Sequence, residues 1–138
     1  MTRVAIALGS NLGDRLGHLR AGLSGLERIG SILAVSSVHE TEPVGGPEQD
    51  RYLNAVALIE TLLAPLDVLA QLLEIERGRG RERGVRWGPR TLDLDLIAYE
   101  GQNLSLPTLE VPHPRAHERS FVLAPLCEVW PDVPLVDG

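Results

Sequence analysis

Apolar residues run unbroken from Val4 to Leu8, as in a strand covered on both faces. The run ends at Gly9-Ser10-Asn11-Leu12-Gly13-Asp14. Leu16, Leu19, Leu23, Leu26 and Ile29 then recur at helical spacing. Asp14 suits the N-cap region of that helix and Gly30 its C-terminal stop. Ile32 to His39 reads as a second strand, and the proline- and glycine-bearing stretch Thr41 to Asp50 as a loop. Tyr52 to Thr61 alternates like a third strand. Pro65 fits a first helical turn, and Leu66, Leu69, Leu72, Leu73 and Glu76 continue a second helix. Thr91 to Tyr99 reads as a fourth strand, turned by Glu100-Gly101-Gln102. Prolines punctuate the tail, where a short helix is expected from about His117.

Strand, helix, strand, strand, helix, strand is the order of a ferredoxin-like α+β sandwich, an antiparallel sheet with a βαββαβ core and helices packed on it. A chain of 138 residues fits a single domain, residues 1–138. Apolar residues make up 43% of it, and the mean hydropathy of +0.01 is that of a globular chain. No apolar run approaches the roughly 20 residues that span a bilayer, and the start lacks a secretory pattern. The single cysteine, Cys127, excludes an intramolecular disulfide and is expected as a small buried hydrophobe. These features together predict a cytoplasmic protein.

Charge sharpens the picture. All 13 basic residues are arginine, which excludes a phosphate-loop lysine, a Schiff-base lysine and a lysine general base. The net charge is −6, yet Arg77 to Arg90 holds six arginines and one acid, carrying +5 against −11 elsewhere. Gly78, Gly80, Gly84 and Gly88 make this stretch a pliable loop.

The arginine loop leads into RTLDLDLI, where Asp93 and Asp95 are two residues apart. On a strand both carboxylates share one face, and Leu92, Leu94 and Leu96 share the other. Two strand rises put their backbones roughly 6.5 Å apart. At an effective dielectric near 20, two negative charges at that distance repel by about 2–3 kcal/mol. Folding does not require such a pair, so a cation is expected between them. Carboxylates of this kind suit Mg²⁺, which takes few protein ligands and completes its shell with substrate phosphates. Arg81, Arg83, Arg86 and Arg90 would neutralise the remaining phosphate oxygens. The combination points to phosphoryl-type transfer by positioning and electrostatics.

Two further groups qualify that picture. His113 lies between prolines in Val111-Pro112-His113-Pro114, with Arg119 close behind, and both could donate to a polyphosphate. Thr41-Glu42-Pro43-Val44-Gly45 precedes Tyr52 and Asn54. An aromatic face and an amide beside a stiff loop suit a flat heterocycle.

The blocks ALGSNLGDR, TEPVGG with YLNA, GRERGVRWGPRTLDLDLI and VPHPRAHERSFVLAPL together resemble the 6-hydroxymethyl-7,8-dihydropterin pyrophosphokinase family of folate biosynthesis. The resemblance covers roughly residues 4 to 130. It implies a ferredoxin-like fold and transfer of pyrophosphate from ATP to the pterin hydroxymethyl group, with release of AMP. It further implies that Asp93 and Asp95 bind two Mg²⁺ ions, and that Arg81 and Arg90 are catalytic arginines. Thr41, Pro43, Val44 and Asn54 match pterin-recognition positions, and Tyr52 and Phe121 would sandwich the ring. Arg83, His113 and Arg119 match ATP contacts, with Trp87 closing the loop and Glu76 and Leu96 at the same site. Thr108 and Leu72 depart from the residues that some members carry on the adenine side. The partners implied are the two small-molecule substrates alone, with no nucleic acid and no membrane, and the protein is expected as a monomer.

Two competing readings follow from the residues alone. A two-metal nucleic-acid-processing enzyme would use the aspartates and arginines on a polynucleotide, which a net charge of −6 disfavours. A non-catalytic ferredoxin-like binding module would use the arginines as a partner surface.

Overall fold

The structure is a computed structural model that describes residues 1–11, 13–41, 51–78, 91–101, 104–105, 110–111, 120–131 and 133. For residues 104–105, 110–111 and 120–123 it describes the backbone. In chain order the elements are β1 (Thr2–Ser10), α1 (Arg15–Leu26), β2 (Ser31–Val35), β3 (His39–Thr41), β4 (Tyr52–Thr61), α2 (Pro65–Gly78), β5 (Asp93–Tyr99), β6 (Leu104–Ser105), β7 (Glu110–Val111) and α3 (Ser120–Val129). Among the described residues the main sheet has five strands, in the order β2-β4-β1-β5, with β3 also paired to β4. Every pairing is antiparallel, and β6 and β7 form a separate two-stranded ribbon. The architecture is α+β.

Alternation along the strands makes two hydrophobic layers. Val4, Ile6 and Leu8 of β1, Ala57 and Ile59 of β4, and Leu92, Leu94 and Leu96 pack with Leu19 and Leu26 of α1 and Val68 and Leu72 of α2. Ala5 of β1, Val56 and Leu58 of β4, and Ile97 and Ala98 of β5 pack beneath Leu126 of α3 and Trp130. The β1–β5 register shifts between Ala5 and Ile6, and this bulge turns both Ile97 and Ala98 toward α3. Among the described residues no helix is long and apolar enough to cross a membrane.

Several elements match their sequence reading, and others correct it. The Asp14 side chain accepts the Gly17 N–H at 3.1 Å, as an N-cap should. The stripe of α2 is Pro65, Val68, Leu72 and Glu76, whereas Leu66 and Leu73 are exposed. Gly30 serves clearance, because a Cβ there would run into the Glu60 carbonyl of β4. The expected single strand from Ile32 to His39 is divided into β2 and β3. At the break, Ser36 donates its N–H to the Val56 carbonyl, while its Oγ takes the Val56 N–H, each at 2.9 Å. A hydroxyl thus replaces a ladder carbonyl, and the strand bends away. Cys127 is exposed, not buried, because α3 turns the neighbouring Leu126 and the later Trp130 onto the sheet.

Candidate active site

Asp93 and Asp95 open β5, where Asp93 pairs with Gly9 and Asp95 with Ala7. Cross-strand partners share a face, and Ala7 lies against the layer under α3. Both carboxylates therefore rise from the α3 side of the sheet, half-buried, while Leu92, Leu94 and Leu96 anchor the strand from behind. The shared face expected of the two aspartates is met, and the strand begins at Asp93, two residues later than Thr91. Its outer edge is held as well, because the Leu94 N–H donates to Glu76 Oε2 of α2 at 2.7 Å. That bond falls on the residue between the two aspartates.

Three of the heterocycle candidates come together on the same face. Tyr52 pairs with Thr41, and Asn54 with His39, across β3 and β4. Asn54 Nδ2 donates to Thr41 Oγ1 at 2.6 Å. On its other side Asn54 pairs with Gly9, which in turn pairs with Asp93. His39, Asn54, Gly9 and Asp93 thus form one row across four strands. Gly9 keeps it open: a Cβ there would lie 3.3 Å from Asn54 Oδ1, a tight approach, and in ordinary contact with Tyr52 Cδ1 at 3.5 Å. The missing side chain leaves a backbone floor between an amide, an aromatic ring and a carboxylate.

Two candidates sit elsewhere than expected. The Leu96 side chain is in the core on the far face of β5, because alternation separates it from its aspartate neighbours. Glu76 is 2% exposed, and its carboxylate turns to the Leu94 amide at the sheet edge. Neither side chain lies on the aspartate face. Leu72 is likewise a core residue. Pro43, Val44, Arg81, Arg83, Trp87, Arg90, Thr108, His113 and Arg119 lie outside the described residues, as does the Phe121 side chain.

Sequence reasoning missed Gly9 and two polar clusters that hold β3. On one face, Arg15 of α1 reaches Glu40 at 3.2 Å and the Arg51 carbonyl at 2.8 Å. On the other, Glu128 of α3 accepts from Ser37 and His39. Ser37, His39 and Glu128 do not form a nucleophile relay. Hydroxyl and carboxylate both meet His39 Nε2, and the hydroxyl also bonds the carboxylate directly, whereas a relay needs them on opposite ring nitrogens.

Among the described residues no group of three or more His, Cys, Asp or Glu side chains is placed to hold a metal ion. The donor set on β5 is a pair of carboxylates, which fits Mg²⁺ bound jointly with substrate phosphates and does not fit an all-protein cage.

Known proteins share this sequence closely. The family model described as 7,8-dihydro-6-hydroxymethylpterin-pyrophosphokinase (HPPK) matches residues 5–131. The 2-amino-4-hydroxy-6-hydroxymethyldihydropteridine pyrophosphokinase of Pseudomonas aeruginosa is 46% identical over 138 residues, covering 99% of this chain and 85% of the relative. The enzyme of the same name from Bacillus subtilis is 46% identical over 130 residues, covering 93% and 78%. In fold, an HPPK-DHPS chain of Plasmodium falciparum solved with pteroate superposes with a TM-score of 0.74 at 15% identity, over 98% of this chain and 40% of that one. A match spanning nearly all of this sequence, at this identity, makes the chain a member of the 7,8-dihydro-6-hydroxymethylpterin-pyrophosphokinase family.

Proposed function

We propose that Asp93 and Asp95 form the acidic centre of this pyrophosphokinase, with the pterin lying over Gly9 between Tyr52 and Asn54. The family reaction transfers pyrophosphate from ATP to the hydroxymethyl group of 6-hydroxymethyl-7,8-dihydropterin, giving AMP and the pterin pyrophosphate for folate synthesis. The observation behind the assignment is the row Asn54–Gly9–Asp93, which sets a floor without a side chain beside a carboxylate pair.

In this reaction the hydroxymethyl oxygen gives up its proton to solvent and bonds to the β-phosphorus of ATP, and the bond from that phosphorus to the oxygen that leaves on AMP breaks. Asn54 presents its amide to the polar edge of the pterin, Thr41 orients that amide, and Tyr52 covers one ring face. Pro43 and Val44 complete the ring's surroundings, with Phe121 on its other face. Asp93 and Asp95 hold two Mg²⁺ ions, which supply charge neutralisation at the phosphates when bound. Arg81 and Arg90 act on the transferring group. Arg83, His113 and Arg119 bind the nucleotide, with Trp87 completing that side. Arginine suits this work because its planar fork pairs two phosphate oxygens at once.

The strand order supports a ferredoxin-like βαββαβ plan: with β3 set aside as an addition beside β4, the core strands run second, third, first, fourth. Residues 1–138 act as one cytoplasmic pyrophosphokinase domain, monomeric, with no nucleic-acid or membrane partner.

Incubation with Mg-ATP and 6-hydroxymethyl-7,8-dihydropterin tests the assignment. AMP and pterin pyrophosphate are expected in equal amounts, and neither without the pterin. Release of ADP, or pterin-independent ATP cleavage, would overturn it.

A further inference from the structure

β3 is only three residues long and, among the described residues, pairs with β4 alone at the edge of the sheet. Three ladder pairs hold a strand weakly. Its last residue, Thr41, nevertheless meets Asn54 in a short hydrogen bond, so something else must fix its position. Arg15 holds Glu40 on one face, and the start of the strand carries a second anchor on the other. Glu128, on the last turn of α3, accepts the Ser37 N–H at 2.9 Å, the Ser37 hydroxyl at 2.8 Å and His39 Nε2 at 2.9 Å. These bonds join residues 89 to 91 positions apart in sequence. His39 and Thr41 share a face, since their partners Asn54 and Tyr52 do. A pull on His39 from α3 is thereby transmitted two residues along a short strand to the Thr41 hydroxyl.

We propose that Glu128 is a positioning residue for the pterin, setting the seating of β3 at which Thr41 orients the Asn54 amide. The inference rests on the placement of the pterin beside Asn54. Glu128 touches no substrate and acts through Ser37, His39 and Thr41. Its carboxylate is held down to about 2 by the Ser37 backbone bond, the His39 bond and the Ser37 hydroxyl, so the anchor is fully charged at neutral pH.

Steady-state kinetics on Glu128→Ala test this. The KM for the pterin is expected to rise about tenfold, the loss typical of a misplaced hydrogen-bonding group. The KM for ATP and kcat should stay within about twofold. Glu128→Gln, which keeps one acceptor oxygen, should recover part of the loss. In an Asn54→Ala background, Glu128→Ala should add almost nothing, because both act on one contact. Ser37→Ala repeats the test from the other side should Glu128→Ala fail to fold. A lowered melting temperature with an unchanged pterin KM would overturn the proposal, as would equal losses for both substrates. An Asn54→Ala variant with normal pterin KM would overturn the pterin placement itself, and this inference with it.

Discussion

Asp93 stands directly opposite Gly9 across the β1–β5 pair, and the same glycine stands opposite Asn54 on β4. A single position without a side chain therefore separates the carboxylate from the amide. Gly9→Ala is expected to weaken pterin binding roughly tenfold, about 1.4 kcal/mol, because its Cβ would crowd the Asn54 amide and fill the floor beside Tyr52. Binding of an ATP analogue should be unchanged, and Gly9→Val should be worse. Calorimetry with each ligand decides. Equal weakening of both would show that the glycine serves the fold alone.

Asp93→Ala and Asp95→Ala should each lower turnover at least 100-fold, about 2.7 kcal/mol in barrier height. Their melting temperatures should stay close to that of the parent, since neither side chain belongs to a hydrophobic layer. Activity near the parental level at ordinary Mg²⁺, in a folded variant, would remove that residue from the metal role.

Glu76 calls for the opposite outcome. Its removal would leave the Leu94 N–H without its carboxylate partner inside the protein. A buried amide stripped of its acceptor costs about 1–3 kcal/mol. Urea denaturation of Glu76→Ala should show a loss in that range, and Glu76→Gln a smaller one. If Glu76→Ala were as stable as the parent but bound ATP poorly, the carboxylate would belong to the nucleotide site.

Glu128 makes a prediction in pH. Its ordinary value of 4.5 is lowered to about 2 in the fold, so the folded state favours the charged form. Its contribution is complete above about 4.5 and is lost as pH falls through about 2. The melting-temperature gap between the parent and Glu128→Gln should be constant near neutrality and close as the pH drops toward 2. A gap that widened on acidification would contradict the carboxylate anchor.

Local pattern carried much of this structure. The bounds of β4, Tyr52 to Thr61, are readable from the sequence, and so is the shared face of Asp93 and Asp95, because alternation depends only on neighbours. Thr41, Tyr52 and Asn54 are also legible as polar and aromatic groups beside a stiff loop. The division of β2 from β3 is not legible. Ser36 breaks the ladder by offering a hydroxyl to Val56, and the apolar residues on either side of it, Ile32 to Val35 and Val38, read as one strand. The Glu128–His39 contact, 89 residues apart, leaves no local trace at all. Leu96 shows the limit of motif reading: proximity in sequence to the aspartates does not put a side chain on their face.

The row from Asn54 through Gly9 to Asp93 also works as a gauge. Adjacent strands lie about 4.8 Å apart, so the amide and the carboxylate are about 9.6 Å apart at their backbones. Hydrogen bonds between strands set that interval, and no side-chain rotation can stretch it. It is comparable to the long dimension of a bicyclic heterocycle bearing a one-carbon arm. A pterin with a hydroxyethyl arm would keep its ring contacts at Asn54 and overshoot the reacting position, so it should bind almost normally and react slowly. Selectivity for arm length would then be written into the spacing of the sheet, and only a change of strand could alter it.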